Sequence, residues 1–281
     1  MKRYVAIALM IAAPVLAQQP AINIILKDGR TVSTTQALGR SGDSVMVTVP
    51  VGANQQGQMG YDVSTISRIE FPEPPQIGTA IDLLAAGETD QGIAQLAPVL
   101  AYYGPFRDVP GNWWARAAVL TINALIESGR ENEAAPLVAE LSSCQGDPEA
   151  VCAADVQQAA AMARAGSYEE ALRSLDPVIG QSQNKDILAQ AWLCKGESLF
   201  ALRRLEPAIL AYLHVPVFYP DEKLLVPRAM LGGAKAMIAL QDRKSAKDQL
   251  VELVKNYPSS PQAAVAKTEL DTLDKDQNQK P

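Results

Sequence analysis

One spacing in the C-terminal half constrains the fold more than anything else in the chain. Gly196, Ala208, Tyr212 and Pro220 are followed by Ala234, Ala246, Leu250 and Pro258, each 38 residues further on. Four matching offsets mark a repeat of helical-hairpin length. Small residues at the first two positions let paired helices approach closely, and Tyr212 and Leu250 fill the space beside them. Proline closes the second helix because it cannot continue the hydrogen-bond ladder. One such hairpin leaves an apolar face open, and a neighbouring copy covers it. Toward the N-terminus, Ala171 lies 37 residues before Ala208, Ala134 another 37 before that, and Gly92 a further 42. The spacing predicts five helical hairpins between residues 78 and 273, an all-α solenoid with a weak first copy.

Upstream the pattern changes. Residues 21–71 are rich in Val, Ile, Thr and Gly and alternate in short runs such as "INIILKDGRTVSTT", "DSVMVTVPV" and "GYDVSTISRIEF". Asp28-Gly29 between two such runs signals a hairpin turn, because glycine adopts positive φ without steric cost. About five strands fit before "PEPP", whose prolines interrupt regular structure and mark a linker at 72–77. The fold class is therefore α+β in separate domains, a small β-domain followed by a helical array. The last residues, 274–281, are polar and aperiodic and read as a disordered tail.

The first 17 residues read as a secretory leader. Lys2 and Arg3 precede an apolar run from Tyr4 to Leu16, and Ala17 offers a cleavage point before Gln18. The run is short for a membrane span, and no second candidate follows it. Cleavage after Ala17 would remove two positive charges and take the formal net charge from −6 to −8. A chain so acidic lacks the clustered positive charge that nucleic-acid binding needs. The expectation is an exported protein without a transmembrane span after cleavage.

The fourth hairpin, "AWLCKGESLFALRRLEPAILAYLHVPVFYP", sets Trp192, Gly196, Ala208, Tyr212 and Pro220 in the register of the tetratricopeptide signature. It departs from that signature at Lys195 and Leu199, where Leu and Tyr are usual. Residues 76–273 thus resemble the tetratricopeptide repeat family. The phrase "LVKNYPSSPQAAVAKTEL" is similar, more narrowly, to exported bacterial members such as the Tol–Pal-associated and outer-membrane-assembly repeat proteins. The β-domain, through Leu26, Asp28 and Gly29, resembles the small barrels of the Sm-like and SH3-like type.

These resemblances imply a non-enzymatic scaffold of the bacterial cell envelope that holds another envelope protein or a peptide. In this family the first helix of each pair lines a concave groove. Carried onto this register, the groove takes Arg116, Val119, Asn123 and Ile126 from the second hairpin. The fourth adds Gln190, Leu193, Glu197 and Phe200, and the fifth Arg228, Leu231, Lys235 and Ile238. The interspersed cations suit a peptide with acidic groups, and charge reversal at Arg228 and Lys235 would weaken binding while leaving the melting temperature nearly unchanged.

The search for catalytic chemistry returns little. Cys194 and His214, the only histidine, fall on different helices of one hairpin with no acidic residue to orient them. A dyad is conceivable, but a buried structural cysteine is the commoner case. A phosphate loop, a helical histidine pair and a calcium loop are all missing, and no catalytic residue, metal or cofactor is expected. Cys144 and Cys152 flank "QGDPEAV", and export favours a local disulfide over two free thiols.

The segment "AYYGPFRDVPGNWWARA" gathers Tyr102, Tyr103, Phe106, Trp113 and Trp114. Aromatics beside Arg107 resemble a binding hot spot, and they would equally plug the seam between the β-domain and the helices. The first use makes the alternative function a cell-wall carbohydrate-binding or enzyme-accessory module.

Overall fold

The computed structural model describes residues 21–51 and 55–278; the leader at 1–17 lies outside them, as do the last three residues of the tail. Six strands come first: β1 (Ile22–Leu26), β2 (Thr31–Thr34), β3 (Gly39–Ser41), β4 (Ser44–Pro50), β5 (Gln56–Asp62) and β6 (Ile66–Glu70). They form two three-stranded antiparallel sheets, ordered β2-β1-β6 and β3-β4-β5, in place of the closed five-stranded barrel expected. The 3-10 turn at Val63–Thr65, capped by the Asp62 carboxylate, separates β5 from β6. Alternation in β1 and β4 buries Ile22, Ile24, Leu26, Val45 and Val47, which share one core with Ile69 and Leu38.

The helices follow as five antiparallel pairs: α1 (Pro75–Ala85) with α2 (Thr89–Tyr103), α3 (Trp114–Glu127) with α4 (Glu131–Ser143), α5 (Pro148–Arg164) with α6 (Tyr168–Gln181), α7 (Lys185–Ala201) with α8 (Leu205–Phe218), and α9 (Leu225–Ala239) with α10 (Arg243–Asn256). A last helix, α11 (Pro261–Asn278), packs on α9 and α10 and runs into the stretch read as a tail. The "PEPP" stretch also differs from its reading as a linker. Pro75 is the first residue of α1, where proline's missing N–H has no partner to lose and its fixed φ suits a helix start.

The repeat positions land where close packing demands small residues. Ala134, Ala171, Ala208 and Ala246 are at most 2% exposed, each in the second helix of its pair. A Cβ at Gly196 would meet the Tyr212 ring at 2.7 Å, and one at Gly232 would meet it at 2.6 Å. Tyr212 is thus gripped by backbone from α7 and α9, which is why it sits 16 residues after Gly196 and 20 before Gly232.

Each first helix ends in the same left-handed turn. Gly87, Gly129, Gly166, Arg203 and Gln241 all have positive φ, and their amides and those of the following residues bond back to the last helical turn, as in Gly87 N–H to Leu84 C=O and Glu88 N–H to Leu83 C=O. In the last two hairpins Arg203 (φ 61°) and Gln241 (φ 67°) occupy a conformation that favours glycine. Arg203→Gly and Gln241→Gly are each expected to stabilise the array by about 0.5–1 kcal/mol, the relief of the turn outweighing glycine's added freedom when unfolded. Thermal unfolding of the two variants, with Arg204→Gly as the helix-start control, checks this.

Candidate functional site: the bore of the helical array

The aromatic segment between α2 and α3 joins the two parts of the molecule. Tyr103, Phe106, Val109 and Trp114 are buried, and Phe71 from the end of the β-domain packs edge-on against Tyr103 with ring centroids 4.9 Å apart. Trp113 Nε1 donates to the Phe71 carbonyl at 3.3 Å, Ile69 N–H to the Pro110 carbonyl at 2.8 Å, and Arg40 pairs with Asp108 at 2.9 Å. Two glycines permit this closeness: a Cβ at Gly111 would lie 2.4 Å from the Ile69 carbonyl oxygen, and one at Gly146 2.2 Å from that of Asp108. Burial pushes the Tyr103 hydroxyl up to about 12. Of the five aromatics, Tyr102 keeps an exposed ring, and Trp113 turns toward the interior of the array with Arg116 5.7 Å above its ring.

That interior is a cavity of about 860 Å³. Every odd-numbered helix contributes to its wall, with Ile81 from α1, Val119 from α3, Ala153 from α5, Ile187 from α7, Leu225 from α9 and Pro261 from α11. The array curls far enough for its ends to meet. Lys223, between α8 and α9, pairs with Asp82 of α1 at 2.7 Å, and a Cβ at Gly87 would stand 3.8 Å from the Pro261 ring. The cavity is therefore the bore of a superhelical turn.

Two amide side chains, Asn123 and Gln190, line its floor, and a third, the buried Gln157, holds them from behind. Gln157 Nε2 donates to Asn123 Oδ1 at 3.2 Å and to Gln190 Oε1 at 3.3 Å, linking α5 to α3 and α7. Asn123 and Gln190 each still have capacity for a further hydrogen bond. The arginines of the bore are occupied. Arg228 binds Glu127 of α3 and Glu197 of α7, the latter at 3.2 Å, and Arg116 pairs with Asp186 at 2.7 Å and Glu73 at 3.8 Å. Burial, and the neighbouring Asp186 carboxylate, raise the Glu222 pKa above the usual carboxylate range.

Arg116, Asn123, Gln190 and Arg228 thus come together in one wall, and Glu197 holds Arg228 from the next turn. Phe200, Leu231 and Lys235 lie outside that wall. Phe200 and Leu231 pack against the core of the C-terminal hairpins, because the later turns of α7 and α9 run past the end of the bore. Charge reversal at Arg228 would not spare stability, as the sequence reading supposed, since it would set three acidic side chains against one another in a partly buried site. Gln157, Asp186, Glu222 and Glu127 escaped the sequence reading. The register that found Asn123 points in the third hairpin to Ala153 and Val156, one position short of Gln157.

The thiols and the histidine are packing groups. Burial pushes the Cys194 thiol up to about 12, and no hydrogen bond joins it to His214. The imidazole instead stacks flat on Trp192, centroids 3.7 Å apart, and its pKa is lowered by burial and by Lys195. Cys144 and Cys152 are free thiols and do not form the expected disulfide; Cys144 Sγ instead donates to the Glu140 carbonyl at 3.3 Å. Among the described residues no group of acidic, histidine and cysteine side chains is arranged to hold a metal ion, and no helix is long and apolar enough to cross a membrane.

Fold and bore define the class: a helical-hairpin repeat protein with a tetratricopeptide-like arrangement, carrying a small β-domain at its N-terminal end. No protein-family model matches the chain, and no curated protein matches it either. Among solved structures, one titled "MamA RS-1 ArsTM double mutant" is similar at 15% identity, over 64% of this chain and 92% of that one, with a TM-score of 0.36.

Proposed function

We propose that this chain is an exported, non-enzymatic scaffold of the bacterial cell envelope that holds a segment of another protein in the bore of its hairpin array. The observation that carries the reading is the cavity itself, one continuous concavity to which every odd-numbered helix contributes. A wall built that way suits an elongated ligand, since each repeat adds a similar contact to the one before. Selection falls to Asn123 and Gln190, positioned by the buried Gln157, and to the apolar walls, because Arg116 and Arg228 already have carboxylate partners. An acidic peptide is accordingly not favoured. Export is supported by Lys2, Arg3 and the apolar run before Gln18, and the envelope setting by the "YPSSPQA" phrase at 257–263. With Tyr103, Phe106 and Trp114 buried, the aromatic segment offers little open platform for a sugar ring.

Site-specific photo-crosslinking tests the reading. A crosslinking residue at Leu120, on the bore wall, is expected to trap a protein partner in envelope extract. The same residue at Leu210, 65% exposed on the outer side of α8, is expected to trap none. Adducts formed from position 210 and not from 120 would move the interaction surface to the outside of the array.

A further inference from the structure

We propose that the outer edge of β5 docks a second copy of this chain, the two β5 strands pairing antiparallel about a two-fold axis at Met59. β5 is the last strand of its sheet, in the order β3-β4-β5. A sheet edge leaves a row of N–H and C=O groups unpaired, and proteins ordinarily cover, shorten or charge it. Among the described residues the other three edges are treated in that way. β6 is covered where Ile69 N–H donates to the Pro110 carbonyl at 2.8 Å, and β2 and β3 span only four and three residues. β5 runs for seven residues with no proline and no charge before Asp62, its last.

The ladder fixes which groups face outward. β4 and β5 are in register from Ser44 opposite Asp62 to Pro50 opposite Gln56. Hydrogen bonds from Val63 N–H to the Asp43 carbonyl and from Val51 N–H to the Gln55 carbonyl bracket that register at its two ends. Antiparallel residues alternate between hydrogen-bonded and non-hydrogen-bonded pairs. Gly57, Met59 and Tyr61 therefore bond to β4, and Gln56, Gln58, Gly60 and Asp62 turn their N–H and C=O groups away from it. Side chains alternate as well. Met59 and Tyr61 share the face of the buried Val47 and Val45 opposite them, and the two glutamines lie on the other face. Among the described residues of the β-domain, the exposed large apolar side chains are Val51 and Met59, at 65% and 47%, and both border this edge.

The strand is complementary to itself. A two-fold axis at Met59 pairs all seven residues, and Gln58 exchanges hydrogen bonds with Gly60 of the second copy. Gln56 then faces Asp62 of the second copy, an amide against a carboxylate, and Met59 faces Met59. No like charges meet, although the chain as a whole carries a net charge of −6. Tyr61 faces Gly57, which has no side chain to displace. The Val51 methyl, 2.4 Å from where a Gly57 Cβ would stand, offers an apolar surface there. Each contact occurs twice, as an isologous interface requires. Seven residues a side fall well short of the roughly 20–30 of a standard interface, so the dimer is weak and forms with rising concentration.

Sedimentation equilibrium of the full chain, from low-micromolar to submillimolar concentration, tests this. The natural protein is expected to pass from monomer to dimer and no further. Met59→Lys sets two ammonium groups opposite each other at the axis and should weaken association about tenfold. Met59→Glu should do the same alone. An equimolar mixture of the two variants should associate as tightly as the natural protein, because only a pairing of position 59 with itself joins their opposite charges. Gln58→Pro removes an outward donor and leaves the β4 ladder whole. It should be monomeric with unchanged circular dichroism and melting temperature. A natural protein that stays monomeric throughout overturns the proposal. So does a dimer that survives Met59→Lys or Gln58→Pro undiminished, or a mixture that associates no better than either variant alone. The bore is not read in any of these measurements, and its reading stands or falls separately.

Discussion

Tyr212→Ala is expected to destabilise the helical array by about 3–5 kcal/mol, the range for removing a large buried ring. The ring is 3% exposed and fills the gap between Gly196 and Gly232, so α7, α8 and α9 all border the hole it would leave. Neither glycine can move inward without dragging its helix, and the site cannot collapse cheaply. Denaturant unfolding followed by helical circular dichroism should show the loss as a lower midpoint at unchanged slope. Gly232→Ala attacks the same contact from the other side and should cost about 1–3 kcal/mol by overpacking. A loss below about 1 kcal/mol for Tyr212→Ala would mean that the repeats are held by their alanine seams and not by this ring.

Trp114→Ala should be as costly, about 3–5 kcal/mol, with a different signature. Trp114 begins α3, its amide caught by the Asn112 side chain at 2.7 Å, and its ring is 2% exposed in the core that the β-domain shares with the first helices. Its loss is expected to loosen the β-domain from the array before the array itself unfolds. Limited proteolysis should then cut between Phe71 and Pro75 while helical signal persists. Simultaneous loss of β-domain and helices, with no early cleavage, would show that the two parts unfold as one unit.

The repeat was legible because close packing leaves a mark in residue size. Gly196, Ala208, Ala234 and Ala246 had to be small, and their spacing exposed the hairpins. The left-handed turn was half legible: Gly87, Gly129 and Gly166 announce it, while Arg203 and Gln241 adopt it without the residue that advertises it. In the site, Asn123 and Gln190 followed from repeat register, but Gln157 sits one step out of that register and nothing in its neighbourhood marks it. The partnering of Arg116 and Arg228 was invisible for another reason. Their carboxylates come from positions as distant as Glu127 and Asp186, and only the curvature of the array brings those together. The two-sheet arrangement was hidden too, since alternation in each strand fixes which face is buried and not which strand it pairs with.

The meeting of α1 with the α8–α9 loop and with Pro261 bears on how such a chain can change over evolutionary time. A solenoid with free ends tolerates gain or loss of whole units, because a new pair of helices merely lengthens a rod. Here the circumference is already spoken for. A sixth pair would drive the C-terminal helix past Gly87, and removal of a pair between α1 and the α8–α9 loop would separate Asp82 from Lys223. Copy number in this molecule is a geometric constant, and variation among its descendants should accumulate in side chains of the inner wall and in loop length, as the 42-residue interval between Gly92 and Ala134 already illustrates.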